Sequence, residues 1–129
     1  MRGGIPNKGN RAVEFRLASQ LAMLLKLHCS DLWRYTHLPL GEKRDNATAR
    51  KLKLMGVVAG WPDYIFVGPG KVFFLELKRG PKVKASSAQS EIAGHLMACG
   101  FGYGLTSELR DAVGMLQQIG VLPTTIHVQ

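Results

Sequence analysis

The chain has 129 residues, within the range of about 100 to 200 that is typical of one domain, and its 46% hydrophobic and 20% charged residues exclude intrinsic disorder and collagen-like or repeat architectures. Lys and Arg number 17 against 9 Asp and Glu, a formal net charge of +8 that indicates a polyanionic partner, with nucleic acid as the leading candidate. No apolar run approaches the roughly 18 residues that cross a membrane, and residues 1–10 lack the features of a secretory signal, so we expect a cytoplasmic protein.

Hydrophobic periodicity and turn residues predict one domain over 11–129, preceded by a flexible, glycine-rich and basic arm over 1–10. In the first half of the chain we expect a helix over 11–28, a strand over 32–38, a helix over 45–55 and two strands over 63–67 and 72–78. A further helix is predicted to begin at the S-x-x-Q capping box of Ser86 and Gln89 and to end at residue 98. It is followed by a strand over 101–105 and by a last helix, which Thr106 or Ser107 caps and Gly120 ends. This order predicts an α/β fold with a mixed β-sheet flanked by helices.

The hairpin predicted over 63–78 carries the most informative residues. Gly60-Trp61-Pro62-Asp63 opens its first strand, and Glu76-Leu77-Lys78 lies near the end of its second. Because side chains alternate along a strand, the carboxylate of Glu76 and the ammonium of Lys78 project from the same face. The turn over 68–70 folds Asp63 back toward them, so we expect three charged groups to converge at one end of the hairpin.

These three groups suit the hydrolysis of a phosphodiester bond. Asp63 and Glu76 offer hard oxygen ligands for Mg²⁺ or Mn²⁺, which lower the pKa of a bound water and stabilise charge on a phosphate. Lys78 would orient the attacking water or help to deprotonate it. The alternative is a surface ion pair beside a turn, and the combined spacing in a basic chain disfavours that alternative.

The segments 60–63 and 76–78, followed by Gln89, resemble the PD-(D/E)XK nuclease signature and, more narrowly, the VRR-NUC family, in particular its stand-alone, phage-type members. The similarity extends over nearly the whole chain, from Glu14 through His37 and the segment 44–53 to the final helix. Residues 38–41 read Leu-Pro-Leu-Gly where the family usually has an asparagine-bearing turn, which weakens any role for His37.

The resemblance implies a restriction-endonuclease-like (PD-(D/E)XK) core with catalytic residues on the hairpin and on two helices. In that core, Asp63 and Glu76 bind Mg²⁺ or Mn²⁺, Lys78 serves the catalytic water, Glu14 adds to the ligand shell of the metal, and Gln89 lies near the lysine. Two of these residues have purely structural alternatives, because Gln89 also completes a capping box and Glu14 would also interact favourably with a helix dipole.

The function implied by the resemblance is that of a metal-dependent DNA endonuclease, homodimeric and structure-selective for branched DNA such as Holliday junctions. The same similarity suggests a phage or prophage origin and a bacterial host cell. The alternatives are a non-catalytic basic DNA-binding module that retains the nuclease fold, and a non-specific nickase. Cys29 and Cys99 are far apart and form no C-x-x-C pair, so we predict reduced thiols and no zinc knuckle.

Basic residues flank the proposed site in sequence and are predicted to bind phosphates without reading base sequence. They are Lys43, Arg44, Arg50, Lys51, Lys53, Arg79, Lys82 and Lys84. A solvated face is the alternative for either cluster alone. The segment 100–104 lacks the spacing and the downstream acid of a dinucleotide-binding loop, so we predict a glycine-rich strand packed closely against a neighbour.

Overall fold

The computed structural model describes residues 4–39 and 45–129. Its elements in chain order are α1 (Gly4–His28), β1 (Arg34–His37), α2 (Asn46–Leu54), β2 (Tyr64–Gly68), β3 (Lys71–Leu77), α3 (Ser87–Ala98), β4 (Gly102–Thr106) and α4 (Leu109–Gln118). None of the helices in these two ranges has the length and apolar character needed to cross a membrane.

The four strands form one sheet in the order β1-β2-β3-β4. Strand β2 runs antiparallel to both β1 and β3, whereas β3 and β4 are parallel and are connected through α3. The predicted mixed sheet flanked by helices is confirmed. Strand β3 lies inside the sheet and is buried from Phe73 to Leu77, so Glu76 is a carboxylate in an otherwise apolar strand.

The main core lies between the sheet and the pair of helices α1 and α4. Leu21, Phe66, Leu75 and Leu116 are fully buried there, with 0% of their surface exposed. Phe74 is buried outside this cluster, and its ring contacts Trp61 and Phe101 at centroid distances of 6.2 and 6.1 Å. Both faces of β3 are therefore covered, which fixes the position of the hairpin end that carries the charged residues.

The start of α1 differs from the prediction. The helix begins at Gly4, not at residue 11, so residues 4–10 have helical backbone where an arm was expected. Pro6 falls in the first turn, where its missing N–H leaves no hydrogen bond unmade and its fixed φ suits the helix. The helix therefore begins before the first residue of the apolar stripe that predicted it.

The predicted cap of α3 is confirmed, and that of α4 is wrong. Ser86 and Gln89 form the expected capping box. The N-cap of α4 is Glu108, with no side-chain cap bond, because Thr106 is still paired with Leu77 in the sheet. Thr106 Oγ1 instead accepts a hydrogen bond from the N–H of Glu108 at 3.0 Å and lies 3.2 Å from Asp111 Oδ2.

The close packing predicted for the glycine-rich strand is confirmed. A Cβ atom at Gly102 would lie 2.6 Å from Cδ1 of Phe73, and one at Gly104 would lie 3.0 Å from Cζ of the same ring. Because β4 has no side chains at these two positions, the phenyl ring of Phe73 packs directly on its backbone.

Candidate active site

The hairpin brings Asp63 and Glu76 into direct, reciprocal contact. The N–H of Asp63 donates to Glu76 Oε1 at 3.2 Å, and the carboxylate oxygen Oδ2 of Asp63 accepts from the N–H of Leu77 at 2.8 Å. Each carboxylate is therefore held by a main-chain N–H of the neighbouring strand end: Glu76 by that of Asp63, and Asp63 by that of Leu77. The convergence predicted for this end of the hairpin is present in the structure, and Glu76 is only 4% exposed.

Gln89 links Lys78 to Glu76. Its amide oxygen Oε1 accepts from Lys78 Nζ at 2.6 Å, and its amide nitrogen Nε2 donates to Glu76 Oε2 at 2.8 Å. The same oxygen accepts from the N–H of Ser86 at 3.0 Å, which is the side-chain half of the capping box. The capping role and the position near the lysine were alternatives in sequence, and here one side chain does both. Lys78 Nζ also lies 3.9 Å from Glu76 Oε2.

Gly60, the first residue of the segment Gly60-Trp61-Pro62-Asp63, packs tightly against the first turn of α3. Its φ is +101°, and a Cβ atom there would lie 2.5 Å from the carbonyl oxygen of Ala88. A side chain at this position would therefore combine an unfavourable backbone conformation with a clash against main-chain atoms. The loop that presents Asp63 packs beside the helix that presents Gln89.

We expect Gly60→Ala to lower the free energy of unfolding by about 2 kcal/mol, because both the strained φ and the clash with Ala88 must be accommodated. Chemical denaturation measures this change. Gly94→Ala is the control: Gly94 lies in α3 with open space around it, so alanine should be neutral or stabilising by up to about 1 kcal/mol. Equal effects of the two substitutions would contradict this account of Gly60.

A cleft of about 960 Å³ opens over these residues. Asp63, Glu76, Lys78 and Gln89 line it on one side, and α1 forms another wall. That wall contains Glu14, Phe15, Ala18, Ser19 and Ala22. The cleft is large enough to admit a sugar-phosphate segment, and all the predicted catalytic side chains line it.

The structure places Glu14 at the cleft and excludes the alternative in which its carboxylate interacts with the helix dipole at the start of α1. Because α1 begins at Gly4, Glu14 lies well beyond the first turn, which contains no acidic residue. The dipole effect decreases within that first turn. Burial and the nearby charge of Asp63 raise the pKa of Glu14, while Arg79 and Lys78 lower it. Glu14 therefore belongs to the same electrostatic cluster as the hairpin acids.

Burial raises the pKa values of the acids in this cluster. Burial, followed by the charge of Asp63, raises the pKa of Glu76 to about 8, against the opposing effects of Lys78 and of the hydrogen bond from Asp63 N–H. Burial also raises the pKa of Asp63, opposed by its hydrogen bond from Leu77 and by the charges of His37 and Lys78. The nearby cations thus compensate only partly for the desolvation of the acids.

We expect the melting temperature of the metal-free protein to fall as the pH rises from about 4.5 to about 8. In this interval the folded chain keeps a proton on Glu76 that the unfolded chain has released, so folding binds protons and a higher pH opposes it. Thermal unfolding in a chelator, followed across pH, measures the effect. Glu76→Gln should flatten most of the decline, and the exposed Glu91→Gln on α3 should keep it; a full decline in Glu76→Gln would contradict the assignment.

The donor set fits a hard divalent cation. Two buried carboxylates at one end of the hairpin, whose pKa values are raised first by that burial, form a site that a divalent cation would stabilise. Among the residues that the structure describes, no group of three His, Cys, Asp or Glu side chains is arranged to hold a metal by itself. Magnesium typically uses one or two carboxylates and takes its other ligands from water and substrate phosphate.

The predicted nucleic-acid-binding residues lie in three places. Arg79 and the exposed Lys84 line the cleft, and the exposed Lys82 lies in the same loop. A second group, on α2, is exposed to solvent and does not line the cleft: Arg50, Lys51 and Lys53. Lys43 and Arg44 lie outside the described residues.

Sequence reasoning missed the residues that shape the α1 wall. Ala18 and Ala22 follow Glu14 at intervals of four, so the three share one face of the helix and small side chains leave room beside the acid. This spacing of four residues is the sequence feature from which the wall beside Glu14 could have been predicted. His37, to which little was assigned, also lines the cleft, and its ring lies 4.9 Å from that of Tyr64.

The chain matches no protein-family model and no curated protein. The solved structures that are similar to it include the following two. A "VRR_NUC domain protein" superposes with a TM-score of 0.65 at 22% identity, covering 82% of this chain and 86% of that one. A "VRR_NUC domain" superposes with a TM-score of 0.56 at 17% identity, covering 82% of this chain and 95% of that one. The chain therefore has the fold of the VRR-NUC domain proteins, the restriction-endonuclease-like α/β fold that its motifs predicted.

Proposed function

We propose that this chain is a VRR-NUC nuclease, a metal-dependent endodeoxyribonuclease that hydrolyses phosphodiester bonds in DNA. The observation that carries the proposal is the hydrogen-bonded set of Asp63, Glu76, Lys78 and Gln89 on the cleft. A surface ion pair would leave its charges in water, whereas Glu76 and Lys78 are 4% and 7% exposed. Burial of charged groups is costly, and perturbed acids in a cleft are typical of functional sites.

In the proposed mechanism the carboxylates would bind the metal, and Lys78 would orient or help to deprotonate the attacking water. Asp63 and Glu76, with Glu14 facing them from α1, would bind Mg²⁺ or Mn²⁺, which supplies Lewis-acid stabilisation of the phosphate and a more acidic water. Lys78 orients this water or helps to deprotonate it. Gln89 fixes the lysine through Oε1 and Glu76 through Nε2, so the two groups keep their relative positions during the reaction.

The chemistry is tested by incubating the purified protein with supercoiled plasmid and Mg²⁺ or Mn²⁺, with a chelator in a parallel reaction. We expect nicked and linear products only with the metal. Binding without any nicking would overturn the proposal and favour the non-catalytic DNA-binding module. Equal cutting of duplex, hairpin, flap, nicked and four-way substrates would favour the non-specific nickase over the structure-selective enzyme.

We also propose that the enzyme acts as a homodimer, with two sites for paired incisions in branched DNA, in the cytoplasm of a bacterial host. Exposed apolar side chains on α1 support an interface between copies: Met23 and Leu27, one turn apart, are 65% and 69% exposed. Single apolar residues are common on surfaces, but two neighbours on one helix face suit a partner. Sedimentation equilibrium measures the mass, and a monomer at micromolar concentration with DNA absent and present would refute the dimer.

A further inference from the structure

Arg79 differs from the other charged residues of the cleft in having a buried donor atom, Nε, without a hydrogen-bond partner among the described residues. Strand β3 ends at Leu77, the N–H of Lys78 extends the pairing to the carbonyl of Thr106 at 2.8 Å, and Arg79 follows directly. Its Nε atom is buried and has no hydrogen-bond partner within the described part of the chain. Buried donors almost always have a partner, so an unpaired one beside a cleft indicates a missing ligand.

No carboxylate in the described part of the chain pairs with Arg79. Arg79 lines the same cleft as Asp63 and Glu76, and its charge lowers the pKa of Glu14, so it lies toward the α1 wall. Over residues 12–39 and 45–129, however, Arg79 forms no ion pair. Its guanidinium therefore lacks a carboxylate partner in these ranges, and its planar set of donors matches two oxygen atoms of one anion, the geometry that a phosphate offers.

Lys78 is poorly placed to supply this charge itself. Its ammonium donates to Gln89 Oε1 at 2.6 Å and lies 3.9 Å from Glu76 Oε2, so it is already engaged on the side of α3. Lys84, the other cation of the cleft, is exposed. Arg79 is the cation of the cleft that has a buried donor with no partner among the residues that the structure describes.

We propose that Arg79 is a further catalytic residue, which donates from Nε and a terminal nitrogen to two non-bridging oxygens of the phosphate that is cut. This inference rests on the proposed nuclease function and goes beyond the general phosphate binding predicted for basic residues. Negative charge builds on these oxygens during attack, and a preorganised donor in a site shielded from water stabilises that charge more than it stabilises bound substrate.

The kinetic test compares Arg79→Gln and Arg79→Lys with wild type in single-turnover cleavage at saturating DNA. We expect Arg79→Gln to be slower by about 100-fold, and Arg79→Lys, which keeps the charge but not the paired donors, by about tenfold. DNA affinity without metal should change by less than about threefold. Arg110→Gln, an exposed site on α4, is the control and should match wild type. A loss confined to affinity, or wild-type rates in Arg79→Gln, would overturn the proposal.

A second measurement separates this inference from the proposed function. The Nε–H resonance of Arg79, assigned by its disappearance in Arg79→Lys, should shift when a duplex oligonucleotide is added without metal. An unmoved resonance would overturn the contact whether or not the protein cuts DNA. A wild-type protein that cuts nothing would overturn the nuclease function and the catalytic role together, while a shifted resonance would still establish phosphate contact at Arg79.

Discussion

Glu76→Gln should lower the single-turnover rate of DNA cleavage by about 1000-fold or more, because it removes one of two carboxylates expected to hold the metal while leaving the shape of the side chain almost unchanged. Glutamine keeps an acceptor for the N–H of Asp63 but loses the one that Gln89 Nε2 uses, so the link to Asp63 should persist while that to Gln89 is lost. Gel-based cleavage at saturating Mn²⁺ and DNA measures the rate, and a gel shift in metal-free buffer should show nearly unchanged DNA binding.

The same substitution should raise the melting temperature of the metal-free protein near pH 8 or above. At that pH the folded protein must accommodate an ionised Glu76 whose pKa is about 8, and glutamine removes this charge. Opposite effects on activity and stability would distinguish a functional acid from a structural one. Glu91→Gln, on the exposed surface of α3, is the matched control and should change neither quantity. Cleavage by Glu76→Gln within tenfold of wild type would remove Glu76 from the mechanism.

Lys78→Met should slow cleavage by about 100-fold to 10,000-fold, the range expected when a group that positions or deprotonates the nucleophilic water is lost. Methionine keeps much of the aliphatic volume in a position that is 7% exposed, so the substitution removes the ammonium with little change in packing. Gln89 Oε1 keeps its hydrogen bond from the N–H of Ser86. Single-turnover rates of cleavage at saturating Mn²⁺ and DNA measure the loss.

Lys71→Met is the matched control for this substitution. Lys71 is exposed at the opposite end of the same strand, so it loses the same charge without touching the cleft. Comparable losses in the two variants would attribute the effect to net charge and DNA affinity, and would contradict a specific role for Lys78 in the reaction. A large loss in Lys78→Met alone supports the role of the ammonium at the site.

Much of the site could be predicted because its central part is local in sequence. The alternation of side chains along a strand placed Glu76 and Lys78 on one face, and the glycine and proline residues at 68–70 predicted the turn that returns Asp63 to them. The capping box at Ser86 and Gln89 likewise depends on a spacing of three residues. These features follow from backbone geometry within short segments, so the residue pattern is enough to predict them.

The remaining features depend on contacts between segments far apart in the chain. The position of Glu14 opposite Asp63, the contact of Gly60 with Ala88, and the two-sided bonding of the Gln89 amide arise only when α1 and α3 pack around the hairpin. The unpaired Nε of Arg79 is likewise a property of its surroundings. Local periodicity determines which side of an element a residue occupies, but packing determines which groups meet there, and burial then sets the pKa values and unmade hydrogen bonds on which the chemistry depends.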